Sequence, residues 1–158
     1  MSKLAIIGGT GLSQLNGLEI TTTQSLETPF GPPSADYLHG IINNKEIIFL
    51  ARHGNPHIIP PHKINYRANI WGLKELGVTD IIAVAAVGGI TSNMSPAHLA
   101  LPDQIIDYSY GREHTFFADN LNQVNHIDFS FPYNQQIRKQ LIHLAGKLEL
   151  TISTTATY

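Results

Sequence analysis

Leu4-Ala5-Ile6-Ile7 is a continuous apolar run that breaks at once into Gly8-Gly9-Thr10-Gly11. A run without polar alternation predicts a strand covered on both faces, and so parallel neighbours. A second run, from Asp80 to Val87, ends the same way at Gly88-Gly89. Between them Asn65 is placed to cap a helix reaching about Leu76. Ile70, Leu73 and Leu76 form its apolar face, and Gly77 is its stop. Strand, helix, strand in that order predicts a right-handed crossover and an α/β fold.

The rest of the chain fits around that frame. Tyr37 to Ile42 and Glu46 to Ala51 read as two strands joined through Asn43-Asn44-Lys45, whose asparagines tolerate the positive φ of a hairpin turn. Thr21 to Thr28 is polar but extended in character, and Pro29-Phe30-Gly31-Pro32-Pro33 stops any regular element. Arg52 to Lys63, dense in proline and histidine, reads as a long non-helical loop. Leu99 to Tyr108 reads as a strand weakened by Pro102, and Gly111 to Asn134 as a long loop without period. Asn134 then caps a helix with Ile137, Leu141, Leu144 and Leu148 on its core face, and Thr151 to Tyr158 is strand-like.

With 158 residues, 42% of them hydrophobic, the chain is expected to bury one core as a single domain over residues 1–158, incomplete at its C-terminal end. A formal net charge of −2 without runs of like charge argues against nucleic acid as a partner. The absence of cysteine excludes a disulfide framework and a thiolate centre. The opening apolar stretch is too short for a leader or a membrane span, so a soluble cytoplasmic protein without membrane partners is expected.

The chemistry concentrates at two places, the glycine turn and Arg52-His53-Gly54. Backbone N–H groups of a glycine-rich bend, the Thr10 hydroxyl and a guanidinium capable of bidentate contacts together suit an anion such as phosphate. Other readings stand beside this one. The turn alone is ordinary βα geometry, or the start of a dinucleotide site, although no acidic residue closes a second strand as that site needs. Arg52-His53-Gly54 also resembles the signature of the histidine phosphatases, in which the histidine is itself phosphorylated. His39, His53, His57 and His62 match no metal-ligand spacing, and no metal is expected. Phe116 and Phe117 with His114 and His126 suit either an apolar mouth or simple aromatic packing.

Several motifs stand together in a familiar order. Ile6-Ile7-Gly8-Gly9-Thr10-Gly11, Thr28-Pro29-Phe30-Gly31, Leu50-Ala51-Arg52-His53-Gly54, Asn65-Tyr66-Arg67-Ala68-Asn69-Ile70-Trp71 and Val87-Gly88-Gly89-Ile90 resemble those of the methylthionucleoside phosphorylases, within the purine nucleoside phosphorylases. Gly111-Arg112-Glu113-His114-Thr115 and His126-Ile127-Asp128-Phe129-Ser130 are similar to the bacterial branch acting on methylthioinosine, with methylthioadenosine as the rival substrate. The resemblance runs from Lys3 to Tyr158.

It implies a three-layer α/β/α fold with a mixed central sheet, lacking the family's C-terminal part. It further implies phosphorolysis of an N-glycosidic bond in purine salvage, with inorganic phosphate as co-substrate, no other cofactor, and a homotrimer. On the same resemblance Thr10, Arg52, His53 and Ala85 contact phosphate, Ala86 lies beside the ribose, and His126 meets the methylthio group of a neighbouring subunit's substrate. The family carries a threonine where this chain has Ala85, which offers only its backbone N–H and implies weaker phosphate affinity. In relatives the base-binding residues come after the position of Tyr158, so the chain by itself is expected to be inactive. A fragment that merely binds phosphate or nucleotide is the non-enzymatic alternative.

Overall fold

The computed structural model describes residues 2–12, 14–118 and 121–158. Its contacts cluster in two units, one running to Val87 and including Gly111–Phe116, the other holding Gly88–Tyr110 and Phe117–Tyr158.

The first unit is built on a mixed sheet of five strands, β1 (Leu4–Gly8), β2 (Glu19–Gln24), β3 (Tyr37–Ile42), β4 (Lys45–Ala51) and β5 (Asp80–Ala83), in the order β2-β3-β4-β1-β5. β4, β1 and β5 run parallel, while β3 is antiparallel to both β2 and β4. The apolar run Leu4–Ile7 is therefore the middle of the parallel trio, as its composition predicts. Ile47 to Ala51 are all buried in β4, although side chains alternate between faces, so both faces of that strand are covered. The β3–β4 turn is Asn43-Asn44, with φ of 48° and 60° and Ile42 opposite Lys45. Two consecutive positive φ values are the pattern of a type I′ hairpin.

Helix α1 (Tyr66–Glu75) carries the crossover from β4 to β5. Asn65 caps it, its side-chain oxygen accepting from the Ala68 N–H at 3.1 Å, and Gly77 follows it at φ 76°. The buried face keeps the expected Leu73, with Leu76 partly buried against the core, but not Ile70. Ala68, Asn69, Gly72 and Leu73 are inside, whereas Ile70 is 37% exposed. Tyr37 sets this face. Fully buried, it passes its ring against Gly72 and donates its hydroxyl to the carbonyls of Ala68 and Asn69 at 3.1 and 3.2 Å. Only small residues admit it, and Ala5, Ile7, Ile48, Leu50 and Leu73 complete that core.

α1 also grips the proline-rich segment. Asn65 Nδ2 donates to the Phe30 carbonyl at 2.7 Å, and Asn69, 3% exposed, accepts from the Ser34 N–H at 2.7 Å and donates to its hydroxyl at 2.9 Å. The Arg52–Lys63 loop holds one turn of 3₁₀ helix, Pro61–Lys63, where no helix is expected from sequence. Proline is tolerated at such a start because its missing N–H would have no partner there. β5 stops at Ala83, and after a last hydrogen bond from the Val84 N–H to β1 the exposed chain to Val87 leaves the sheet, so the apolar run outlasts the strand.

The second unit contains β6 (Leu99–Ala100) paired in parallel with β7 (Ile152–Ser153), and α2 (Gln135–Lys147). The strand expected over Leu99–Tyr108 is cut short at Pro102, which has no N–H to give. The ladder resumes irregularly, through Asp103 N–H to the Ala156 carbonyl and Ile106 N–H to the Tyr158 carbonyl. Arg138 on α2 ties both sides, donating to the carbonyls of Leu101, Pro102 and Thr154. Asn134 caps α2 by accepting from Gln136 and Ile137 N–H groups, as predicted. Its inward stripe is Ile137, Leu141 and Ala145, whereas Leu144 and Leu148, expected in the core, are 49% and 67% exposed. The loop expected over 111–134 has no helix or strand among its described residues, and Asp119 and Asn120 lie outside them.

Burial pushes the Tyr37 phenol up to about 12. The unfolded chain therefore releases that proton near pH 10 and the folded chain does not, so stability falls between pH 10 and 12, by up to about 1.4 kcal/mol per pH unit. Tyr37→Phe is expected to flatten this alkaline decline while costing about 1 kcal/mol at pH 8. Urea unfolding of both proteins at pH 8 and pH 11 measures it.

Candidate functional site

The first turn after β1 is closed by the Leu12 N–H donating to the Gly9 carbonyl at 2.9 Å. Gly11, third in that turn, has φ 80°, and a Cβ there would meet nothing within 4 Å. Its glycine is thus required by the dihedral angle, as in a type II turn, and not by crowding. Thr10 sits exposed at the tip, while Gly8 and Gly9 are buried.

The parallel trio delivers three chain segments to one end of the sheet. Gly8 is opposite Ala51 and Ile7 is opposite Ala83. The pairing extends one residue further on each side, since Arg52 N–H donates to the Gly8 carbonyl at 3.1 Å and Val84 N–H to the Ile7 carbonyl at 3.0 Å. β1 is flanked by β4 on one side and β5 on the other, with α1 crossing between those two. The carboxyl ends of strands at such a switch point are where open α/β sheets bind ligands.

Arg52 occupies that place. Its guanidinium lies directly against Gly9, and Nη1 donates to the Val84 carbonyl at 2.6 Å. The opening turn, Arg52 and the segment leading into Ala85 and Ala86 therefore meet at one sheet end. Ala85 and Ala86 themselves are exposed and outside the strand.

His53, 6% exposed, is held by its own loop. Its Nδ1 lies 2.8 Å from the Ile59 carbonyl and its ring stacks on His57 at 4.5 Å. A carbonyl only accepts, so Nδ1 carries the hydrogen and Nε2 is the nitrogen left for other partners. His126 belongs to the second unit, in an exposed stretch.

Sequence reasoning took Gly9 as part of the glycine turn but missed its contact with Arg52, and it missed Val84. The signal for the first was the glycine doublet itself, since only one glycine is needed to turn the chain. A cleft of about 530 Å³ lies elsewhere in this unit, among Ser25, Glu27, Pro33, Asp36, Ala51 and Asn55. Its carboxylates would repel an anion. Among the described residues no three His, Asp or Glu side chains group as a metal ion would need.

The segment Gly111–Phe116 also belongs to the first unit. Arg67 pairs with Glu113 at 2.8 Å and stands over the Phe30 ring, Phe30 meets Phe116 edge-on at 5.3 Å, and Arg112 donates to the Tyr66 hydroxyl. His114 Nδ1 lies 2.9 Å from the Arg112 carbonyl.

The sequence model of the phosphorylase superfamily matches residues 3–158. A Pseudomonas syringae protein named "Probable S-methyl-5'-thioinosine phosphorylase" is 52% identical over 142 residues, covering 90% of this chain and 58% of its own length. A Hyperthermus butylicus protein named S-methyl-5'-thioadenosine phosphorylase is 42% identical, covering 99% of this chain and 57% of its own. Among solved structures, methylthioadenosine phosphorylase from Schistosoma mansoni in complex with adenine superposes with a TM-score of 0.93 at 30% identity, over 99% of this chain and 61% of that one. The chain thus spans about three fifths of the length of these relatives.

His53→Ala leaves the Ile59 carbonyl without its donor and is expected to cost about 1–2 kcal/mol. His53→Asn restores a donor near the Nδ1 position and is expected to recover most of it. Urea midpoints of the three proteins check this; equal midpoints for the two variants contradict it.

Proposed function

This chain belongs to the phosphorylase superfamily, and from that premise we propose that it forms the phosphate-handling part of a methylthionucleoside phosphorylase. The reaction is phosphorolysis of S-methyl-5'-thioinosine to 5-methylthioribose 1-phosphate and hypoxanthine, a purine-salvage step. The observation that carries the proposal is the Arg52 guanidinium resting on the glycine turn at the carboxyl ends of three parallel strands.

In this mechanism phosphate is held by the Thr10 hydroxyl, the Arg52 guanidinium, His53 and the Ala85 N–H. With Nη1 given to Val84, the remaining guanidinium edge can grip two phosphate oxygens, by charge-assisted bonds worth about 1.5–3 kcal/mol each. As the glycosidic bond lengthens, positive charge develops on the ribose beside Ala86, and the bound anion stabilises that charge before attacking C1'. His126 takes the methylthio group of a neighbouring subunit's substrate, so the working unit is an oligomer, for which the family resemblance implies a homotrimer in the cytoplasm. The residues named here serve the phosphate and the sugar, and the purine leaving group is stabilised by other groups of the enzyme.

Methylthioadenosine is the second substrate reading, favoured by the S. mansoni likeness. The histidine-phosphatase reading gives way to the family assignment.

Titrating inorganic phosphate into this chain by calorimetry is expected to show binding that Arg52→Ala weakens about a hundredfold without abolishing it, the loss of about two charge-assisted bonds. Joining the chain to the C-terminal remainder of the P. syringae relative is expected to give hypoxanthine release that requires phosphate and yields a sugar 1-phosphate. Release without phosphate, or no difference between wild type and Arg52→Ala, refutes phosphorolysis at this site.

A further inference from the structure

A Cβ built on Gly9 would fall 2.2 Å from Nη2, 2.5 Å from Cζ and 2.6 Å from Nη1 of Arg52. The guanidinium therefore fills the space where any other residue would carry its side chain. Its second anchor is the Val84 carbonyl at 2.6 Å. One contact comes from the end of β1 and the other from the end of β5, while Arg52 itself follows β4. A side chain with many rotamers is thus fixed between two points of rigid sheet.

The two glycines of the doublet serve different ends. A Cβ on Gly8 would meet the Leu12 carbonyl oxygen at 2.1 Å and the Phe49 ring at 2.7 and 2.9 Å. Those are backbone and a fully buried ring, so Gly8 is required by the fold. The three atoms nearest a Cβ on Gly9 all belong to the far end of one flexible side chain, which alanine could push aside while the fold stays intact.

We propose that Gly9 is a positioning residue, whose missing side chain is the seat that aims the Arg52 guanidinium at the bound anion. The proposal rests on the reading of Arg52 as the phosphate group. Pre-set donors bind an anion without losing rotamer freedom at the moment of binding. Displacing the guanidinium should therefore weaken phosphate while leaving the empty protein nearly as stable as before.

The test uses Gly9→Ala, Arg52→Ala and the double variant, with inorganic phosphate as probe. Binding is read by calorimetry, unfolding by urea, and guanidinium order by the Arg52 Nε–H resonance in ¹⁵N NMR. Gly9→Ala is expected to weaken phosphate about tenfold or more in the Arg52 background, by the loss of about one charge-assisted bond. It should shift the Nε–H resonance and change nothing in the Arg52→Ala background. A Gly9→Ala protein that folds only when Arg52 is also replaced supports the same collision. Unchanged phosphate affinity with an unchanged resonance overturns the seat, as does an equal loss of phosphate in both backgrounds or misfolding of both variants. A wild-type chain with an ordered Nε–H that fails to bind phosphate overturns instead the phosphate reading, and with it the purpose of the seat.

Discussion

Two backbone hydrogen bonds hold the rest in place. Arg52 N–H to the Gly8 carbonyl and Val84 N–H to the Ile7 carbonyl extend both flanking strands along β1 just to the point where the central chain turns away. The next residues of all three segments then start from fixed positions at one sheet end. Because side chains alternate along an extended chain, Arg52 and His53 leave β4 in different directions. Arg52 reaches the Gly9 turn, and His53 goes to Ile59 in its own loop.

Which side of β1 each flanking strand takes follows from the connections. β1 reaches β4 through the antiparallel β2–β3 pair, and β4 reaches β5 through α1. The packing of α1 fixes that crossover, and Tyr37 fixes the packing. Its hydroxyl bonds the Ala68 and Asn69 carbonyls, and its ring excludes any side chain at position 72. Asn65 and Asn69, one helical turn apart, then hold the proline-rich segment to the same helix. The site thus depends on a chain of contacts that begins far from the chemistry.

What was legible in the sequence was local. The Asn43-Asn44 turn, both asparagine caps and the parallel character of Leu4–Ile7 follow from dihedral preference, capping chemistry and composition, each settled within a few residues. What was not legible depended on residues distant in the chain. Ile70 has the spacing of a core residue, yet Tyr37 arrives from another strand and turns the helix so that Ala68 and Gly72 face inward. Val84 to Val87 are as apolar as β5 but continue past the sheet, and composition does not mark where pairing stops. Leu144 and Leu148 share helical spacing with Ile137 and Leu141, and periodicity cannot distinguish a stripe that is covered from one left exposed. At the site, Thr10, Arg52 and His53 were visible as residue types, whereas the contact of Arg52 with Gly9 spans more than forty positions and leaves only a doubled glycine as its trace.

The two candidates for phosphate, Arg52 and His53, differ in how their side chains are fixed. The fork of Arg52 is oriented by Gly9 and Val84, so its proposed contribution to an anion is geometric. His53 is fixed in tautomer, because the Ile59 carbonyl demands the hydrogen on Nδ1. Its Nε2 is thereby the nitrogen left for another partner. The proposed phosphate contacts thus combine a guanidinium held in place by Gly9 and Val84 with a histidine held in one tautomer. That tautomer follows from one carbonyl six residues further along the loop.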